Sequence, residues 1–313
     1  MNAESPAIVV EGLVKRFGSF TAVNNITYQV NRGEIFGFLG PNGSGKTTTI
    51  RMTLGLLQPS AGSIHVLDMD VSKNTRAIRP RVGYMSQRFS LYNDLTVMQN
   101  LQFYGAAYGL NGGLLTERIQ SALQMAGLAN REDALTRELS GGWRQRLALS
   151  AAILHRPEII FLDEPTAGVD PVSRRAFWDL LYELVAQDIT VFVTTHYMDE
   201  AEHCHRLAFI QHGELIAYGS PAAIKQEMMS GEVLEIATPH PLETVNVLRA
   251  AMADGRIPLQ EVELYGALVH AIGPNMVTHR EAITAALQTA GLELGETAVI
   301  EPSLEDVFIA CMR

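Results

Sequence analysis

Gly40-Pro41-Asn42-Gly43-Ser44-Gly45-Lys46-Thr47 follows the apolar run Glu34 to Leu39 and opens into the helix-compatible Thr48 to Leu57. The order predicted is strand, glycine loop, helix. A polyphosphate brings several negative charges close to the backbone. A loop of glycines lets successive N–H groups turn inward on them, and the helix N-terminus adds its partial positive charge. Lys46 can then reach the β and γ phosphates, and Thr47 can offer its hydroxyl to Mg²⁺. Kinases, GTPases and motor ATPases all use such a loop, so the flanking sequence has to separate them.

Downstream, Ile159 to Leu162 is continuously apolar, as a strand covered on both faces should be, and it delivers Asp163 and Glu164 to its carboxyl end. Asp163 can bind Mg²⁺, directly or through water, while Glu164 can polarise a water for attack on phosphorus. Pro165 breaks the strand, Thr166 to Asp170 forms a loop, and a helix follows around Phe177, Leu180, Leu181 and Leu184. The next apolar strand, Thr190 to Thr195, brings His196 to the same edge. A lone histidine at a strand end is usually structural, but this one is aligned with a phosphate loop and an acidic pair.

Between these strands, Val82 to Gln87 reads as a short strand ending on a polar amide, and from Phe89 to Ala134 the period turns helical, marking an inserted subdomain at about 88–138. Leu139-Ser140-Gly141-Gly142 then precedes an amphipathic helix closed by Pro157. A serine and two glycines at a helix start can bind an anion or simply cap the helix, and locally the cap is favoured. Upstream, Ala7 to Val10 and Ile26 to Val30 read as strands. Phe17, between them, can stack on an adenine ring or lie half-buried in a sheet.

The chain has 313 residues, 47% of them hydrophobic, enough for one large and one smaller domain. Its net charge of −10 argues against a broad nucleic-acid surface. No window approaches the roughly 20 apolar residues of a membrane helix, and Met1 to Pro6 does not resemble a signal peptide, so a cytosolic location is expected. Cys204 and Cys311 are the only cysteines, read as free thiols. His203-Cys204-His205 does not have metal-site spacing.

Leu207 to Tyr218 forms a hairpin that ends the large domain at about residue 220. Residues 221–313 then alternate as β-α-β-β-α-β with a final helix from Ser303, the order of a ferredoxin-like α+β module, and no catalytic constellation is visible there.

Taken in order, these motifs resemble those of the nucleotide-binding subunit of an ATP-binding cassette (ABC) transporter, over about residues 7–220. The resemblance implies an α/β P-loop ABC ATPase domain with its helical subdomain. It makes Gly40 to Thr47, with Thr48, the Walker A segment, Phe17 the adenine-stacking residue and Gln87 the Q-loop residue, touching both metal and catalytic site. Leu139 to Trp143 becomes the signature, with Ser140, Gly141 and Gly142 on phosphate. Asp163 and Glu164 become Walker B and catalytic base, Asp170 the D-loop residue and His196 the switch histidine, with Lys46 also acting in catalysis. In this family ATP lies between the phosphate loop of one subunit and the signature of another, which implies a head-to-tail dimer, a homodimer or a pair with a paralogue. Leu91 to Leu101, Thr195 to Glu202 and Pro302 to Phe308 resemble the drug-exporter branch that works with separate ABC-2 type membrane permeases, which implies a peripheral position on the cytoplasmic face. The fifth signature position, usually Gln, is Trp143, which is expected to anchor by packing.

Two other readings stand beside this one. A soluble cassette ATPase acting on ribosomes or DNA would commonly carry two cassettes or a long coiled-coil insertion, and neither pattern occurs here. A regulatory binder with degenerate hydrolysis fits poorly with Glu164 and His196 both present.

Overall fold

The structure, a computed structural model, describes residues 5–87, 91–228 and 231–311. It comprises two compact units, Met1–Pro221 and Ala222–Arg313. The first runs β1 (Ile8–Phe17), β2 (Phe20–Val30), β3 (Ile35–Leu39), α1 (Lys46–Thr53), β4 (Ala61–Val66), β5 (Met69–Asp70), α2 (Val71–Ile78) and β6 (Val82–Met85). It continues α3 (Val97–Ala107), α4 (Gly112–Met125), α5 (Gly141–Ile153), β7 (Ile159–Asp163), α6 (Pro171–Val185), β8 (Thr190–Thr195), α7 (Met198–Ala201), β9 (Arg206–Gln211) and β10 (Glu214–Gly219).

Every residue of β3, β7 and β8 is buried. That is what continuous apolar runs produce when a parallel sheet is covered on both faces. They form the middle of a sheet ordered β10-β9-β3-β8-β7-β6, in which only β10 runs antiparallel to its neighbour. The registers Leu39↔Thr195, Asp163↔Thr194 and Met85↔Leu162 bring the carboxyl ends of four strands to one edge. The phosphate loop, Gln87, Glu164 and His196 all leave the sheet there, the place where open α/β sheets bind ligands.

A second, antiparallel sheet, β2-β1-β4-β5, contributes Tyr28 to the shared core. Its ring stacks on Phe36 at 5.6 Å between centroids, and Phe36 and Phe161 each lie 5.4 Å from Phe192. Each such aromatic pair adds about 0.5–1.5 kcal/mol beyond burial. The β1 and β2 strands run further than the sequence suggests, meeting at a turn that pairs Phe17 with Phe20. Register shifts along β1 disturb the alternation that would have marked its second half.

In the inserted region, Thr96 and Gln99 form a capping box that starts α3. Asn100, fully buried, accepts from Tyr92 N at 2.9 Å and donates to Tyr92 O and to Thr136 Oγ1. This fixes an exposed turn at Asn93 and Asp94 against the segment that leads to Leu139.

The second unit runs α8 (Pro221–Met228), β11 (Glu232–Ala237), α9 (Pro241–Ala253), β12 (Glu261–Tyr265), β13 (Leu268–Gly273), α10 (Met276–Thr289), β14 (Thr297–Ile300) and α11 (Leu304–Cys311). Its sheet, β12-β13-β11-β14, is antiparallel throughout. Leu234, Ile236, Leu248, Val269, Ile283 and Leu287 form its core. On β13, His270 is 1% exposed, with Nδ1 at 2.9 Å from Asp306 of α11 and Nε2 at 3.3 Å from Glu235 of β11. Two ionised carboxylates only accept, so this arrangement holds His270 as the imidazolium. Burial alone would lower the His270 pKa, but the two carboxylates outweigh it and raise the value above the ordinary range.

Candidate functional site

The loop between β3 and α1 takes its shape from glycine. Gly40, at φ 156°, would bring a Cβ within 2.1 Å of Ile210 O, and Gly45, at φ 113°, within 2.6 Å of Ala22 O. Neither position admits another residue without displacing backbone. Gly43 opens onto free space, and the hydroxyl of buried Ser44 has no hydrogen-bond partner. A cradle of inward backbone with one buried, unpartnered hydroxyl fits a phosphate chain.

Lys46 is 5% exposed and donates to Gly40 O at 2.7 Å and Pro41 O at 3.1 Å. Its Nζ also lies 3.2 Å from Glu164 Oε1. Thr47 Oγ1 donates to both oxygens of Asp163, at 3.2 and 3.0 Å. A hydroxyl and a carboxylate brought together this way are hard oxygen donors of the kind Mg²⁺ takes, so the pair fits that ion.

Glu164 stands at φ 48°, a left-handed conformation that a residue with a side chain rarely adopts. Its N–H donates to Thr194 O at 3.1 Å and Thr194 Oγ1 at 2.9 Å. Thr194 in turn donates to Asp163 Oδ1 at 2.8 Å, so one β8 hydroxyl holds both acidic residues. The sharp turn sends the Glu164 carboxylate back over the phosphate loop, where Gln87 Nε2 donates to Oε2 at 3.0 Å. His196 Nδ1 is 3.4 Å from the same oxygen, close enough for charge interaction but not aligned as a hydrogen bond. Gln87 is thus turned toward Glu164 through its amide nitrogen. Nearby, burial and the Asp163 charge push the Tyr84 hydroxyl pKa up.

One open cleft joins Phe17, Asn42, Gly43, the residues Gly45 to Thr48, Gln87 and Glu164, with buried Ser44 beneath the loop rather than on its lining. Phe17, the last residue of β1, is 49% exposed at its margin, with Lys15 Nζ 5.1 Å above the ring, so it is half-buried in the sheet and still presents a face to the cleft. Phe20, which sequence reading missed, lines the same cleft and is even more exposed. Ser140, Gly141, Gly142 and Asp170 are not among its lining residues. Ser140 occupies the cap position of α5, but its side chain makes no capping bond, and Ser140 and Gly141 are exposed. Gly142 is buried against Ser173. Asp170 caps α6 by accepting from Ser173 N at 2.9 Å, which draws its pKa down.

Thr194 was invisible in the sequence because a threonine in a β-branched strand carries no sign of where its hydroxyl points. His203, Cys204 and His205 turn to different partners. His203 Nδ1 meets the Tyr182 hydroxyl at 2.9 Å, Cys204 is buried, and His205 Nδ1 accepts from Ile35 N at 3.0 Å. Among the described residues no helix is long and apolar enough to cross a membrane.

Comparison with known proteins agrees with this geometry. The ABC transporter family profile matches residues 23–167. The probable multidrug ABC transporter ATP-binding protein YbhF of Escherichia coli (strain K12) is 47% identical over 225 residues, 72% of this chain but 39% of that protein. This chain therefore spans well under half the length of that relative. The Nod factor export ATP-binding protein I of Rhizobium sp. (strain N33) is 38% identical over 97% of this chain and 96% of its own. Among solved structures, cbiO1 from Clostridium perfringens, part of the ABC transporter complex cbiONQ, superposes with TM-score 0.65 at 28% identity, over 72% of this chain and 92% of its own. The cassette MJ0796, solved as a dimer in a post-hydrolysis state with ADP and Pi, gives TM-score 0.62 at 26% identity, over 68% and 98%. A phosphate cradle backed by an acidic strand end, a relative matched along nearly its whole length and a shared cassette fold lead to one conclusion: the chain belongs to the ABC transporter family, among its ATP-binding proteins.

Proposed function

We propose that this chain binds and hydrolyses ATP, and that it drives a separate membrane permease as the ATPase subunit of an exporter. One observation carries the reading. The Glu164 carboxylate sits in the phosphate-loop cleft with Lys46, Gln87 and His196 around it at 3.0 to 3.4 Å. A carboxylate so placed can take the proton of a water aimed at the γ phosphate while His196 and Gln87 orient it. Lys46 exchanges its carbonyl and Glu164 partners for the β and γ phosphates. The backbone of Gly40 to Gly45 and the Ser44 hydroxyl hold the phosphate chain, and Phe17 stacks on adenine. Thr47 and Asp163, with Gln87 at the margin, would hold Mg²⁺, which when bound neutralises phosphate charge.

The exposed Ser140 and Gly141, away from this cleft, suit the phosphate of a second subunit in a head-to-tail dimer. The MJ0796 dimer with ADP and Pi supports dimerisation, and the names of the multidrug and Nod factor relatives support export. An ABC-2 type permease is the partner proposed, at the cytoplasmic face of the membrane, with residues 222–313 as a regulatory or dimer-supporting module.

Steady-state Mg-ATP hydrolysis by purified wild type and Lys46→Ala tests the chemistry. Turnover is expected in the first only, and equal rates would overturn the assignment. Affinity purification from native membranes tests the partner, and it should return a polytopic membrane protein.

A further inference from the structure

Glu200, in α7, is 1% exposed and lies outside the phosphate cleft. The Thr166 hydroxyl donates to its Oε1, and Arg174 Nε of α6 stands 3.6 Å from that oxygen. Arg174 also donates from Nη1 to Asp199 Oδ2 at 3.0 Å. Its guanidinium lies over the Tyr197 ring at 4.2 Å, and the Tyr197 and His196 rings are 4.2 Å apart between centroids. Tyr197 N donates to Thr195 Oγ1 at 3.0 Å, fixing the turn that carries both rings. On the far side of the same loop, Gln145 of α5, also 1% exposed, donates its amide to Pro165 O.

Pro165 and Thr166, the two residues after Glu164, are therefore gripped from α5 and α7 at once. Arg174 reaches both this grip and, through Tyr197, the imidazole of His196. A buried carboxylate paired with arginine adds little stability over an apolar pair of similar size. Its presence here is better explained by geometry than by folding. Arg174 Nε and Glu200 Oε2 make no hydrogen bond. Closing the 3.6 Å gap to an ordinary charge-assisted bond needs about 0.7 Å of movement by the first turns of α6.

Resting on the proposed ATPase reading, we propose that Arg174 is a positioning residue for hydrolysis: through Tyr197 it sets the His196 imidazole, and through Glu200 and Thr166 the loop that follows Glu164. It touches neither nucleotide nor water itself. Misplacing a reacting group by about 1 Å can cost about a hundredfold in rate.

The test is a double-mutant cycle on the full chain with Arg174→Ala and His196→Ala. Arg174→Ala should lower kcat for Mg-ATP about ten- to a hundredfold while leaving KM within about twofold. In the His196→Ala background it should cost clearly less than in wild type, because the part of its effect that runs through that ring is already lost and only the part through Glu200 and Thr166 remains. Histidine-labelled NMR gives a readout without catalysis. The His196 ring resonance, identified by its loss in His196→Ala, should move in Arg174→Ala. Should Arg174→Ala fail to fold because Glu200 is stranded, Arg174→Met with Glu200→Gln removes both charges together and should show the same losses. Wild-type kcat, a loss confined to KM, a full multiplicative loss on His196→Ala, or an unmoved His196 resonance would each overturn the proposal. A wild-type protein with no ATP turnover would instead overturn the ATPase reading, and the NMR shift would still decide the role of Arg174.

Discussion

Glu164→Gln should trap ATP, and the contacts around Glu164 set the size of the effect. Glu164 Oε1 and Lys46 Nζ are 3.2 Å apart, with both side chains nearly buried. Close charge pairs couple by about 1.5 kcal/mol or more. ATP has to win Lys46 from that ion pair. The substituted amide keeps an oxygen that can accept but no charge, so about 1.5 kcal/mol of competition disappears and ATP should bind about tenfold more tightly. The variant should fold, because Lys46 keeps its bonds to Gly40 O and Pro41 O. One amide oxygen cannot serve both Lys46 and Gln87, so Gln87 must turn or let go. Loss of the general base removes about 10² to 10⁴ in rate, or about 3 to 5 kcal/mol of barrier lowering. Tighter binding and stalled hydrolysis together predict a long-lived, ATP-loaded dimer. Equilibrium ATP binding, Mg-ATP turnover and size-exclusion chromatography with Mg-ATP measure the three parts. Turnover equal to wild type would refute the role of Glu164, and ATP affinity weakened tenfold would refute the competition argument.

Ser140→Arg should leave ATP binding to the single subunit within about twofold but prevent the ATP-dependent dimer, since an exposed cap position tolerates the side chain while a phosphate cannot approach through it. Loss of binding in a folded monomer would show that Ser140 serves its own site. Tyr92, 47% exposed and edge-on to Phe103 at 4.7 Å, is expected to meet the permease, so a cysteine at position 92 should crosslink to the co-purified membrane subunit in a nucleotide-dependent way. Crosslinks found only from residues 222–313 would move that contact. The His270 imidazolium, its pKa raised, lends stability that is whole below its unfolded pKa of about 6.5 and disappears as pH rises through the folded value. Asp306, held low by His270 and Ser303 despite its burial, lends stability above its unfolded pKa of about 3.9 that is lost as pH falls through the folded value. Melting of residues 222–313 should therefore weaken on the alkaline side, and His270→Asn should flatten that slope in pH-dependent calorimetry.

Strand runs with every residue buried were readable because covered parallel strands need no alternation, which is why β3, β7 and β8 and the residues at their ends stood out. In the helical stretch that begins at Phe89 the period alone cannot say which apolar residues face inward. Leu91 is buried, Tyr92 and Phe103 are exposed, and Phe89 lies outside the described residues. Trp143 does pack, with its ring between Arg131 at 4.4 Å and Arg146 at 4.9 Å. Arg146 stands three residues on in the same helix, a spacing the sequence does give, but Arg131 lies in the connection before that helix, and no local pattern points to it. Helix α2 and the short β5 strand went unread because α2 is only eight residues with non-helical backbone at Asn74 and β5 only two, too short for a period to declare itself. Arg174 and Glu200 looked like ordinary helix-surface charges, since pairing between residues so far apart in the chain leaves no trace in a single sequence.

The buried amide of Asn100 makes the exposed turn and the approach to the signature mechanically one piece. Arg137 N reaches back to Asn93 O at 3.1 Å and Thr136 N to Leu95 O at 3.0 Å, while the Asn100 side chain ties Tyr92 to Thr136 from beneath. Sliding residues 92–95 past residues 136–137 would break all of these bonds at once, and the Asn100 and Thr136 side chains among them are out of reach of water. Soft response is therefore excluded at this joint. A load applied to Tyr92 is delivered, undamped, to a stretch of chain three residues short of Ser140.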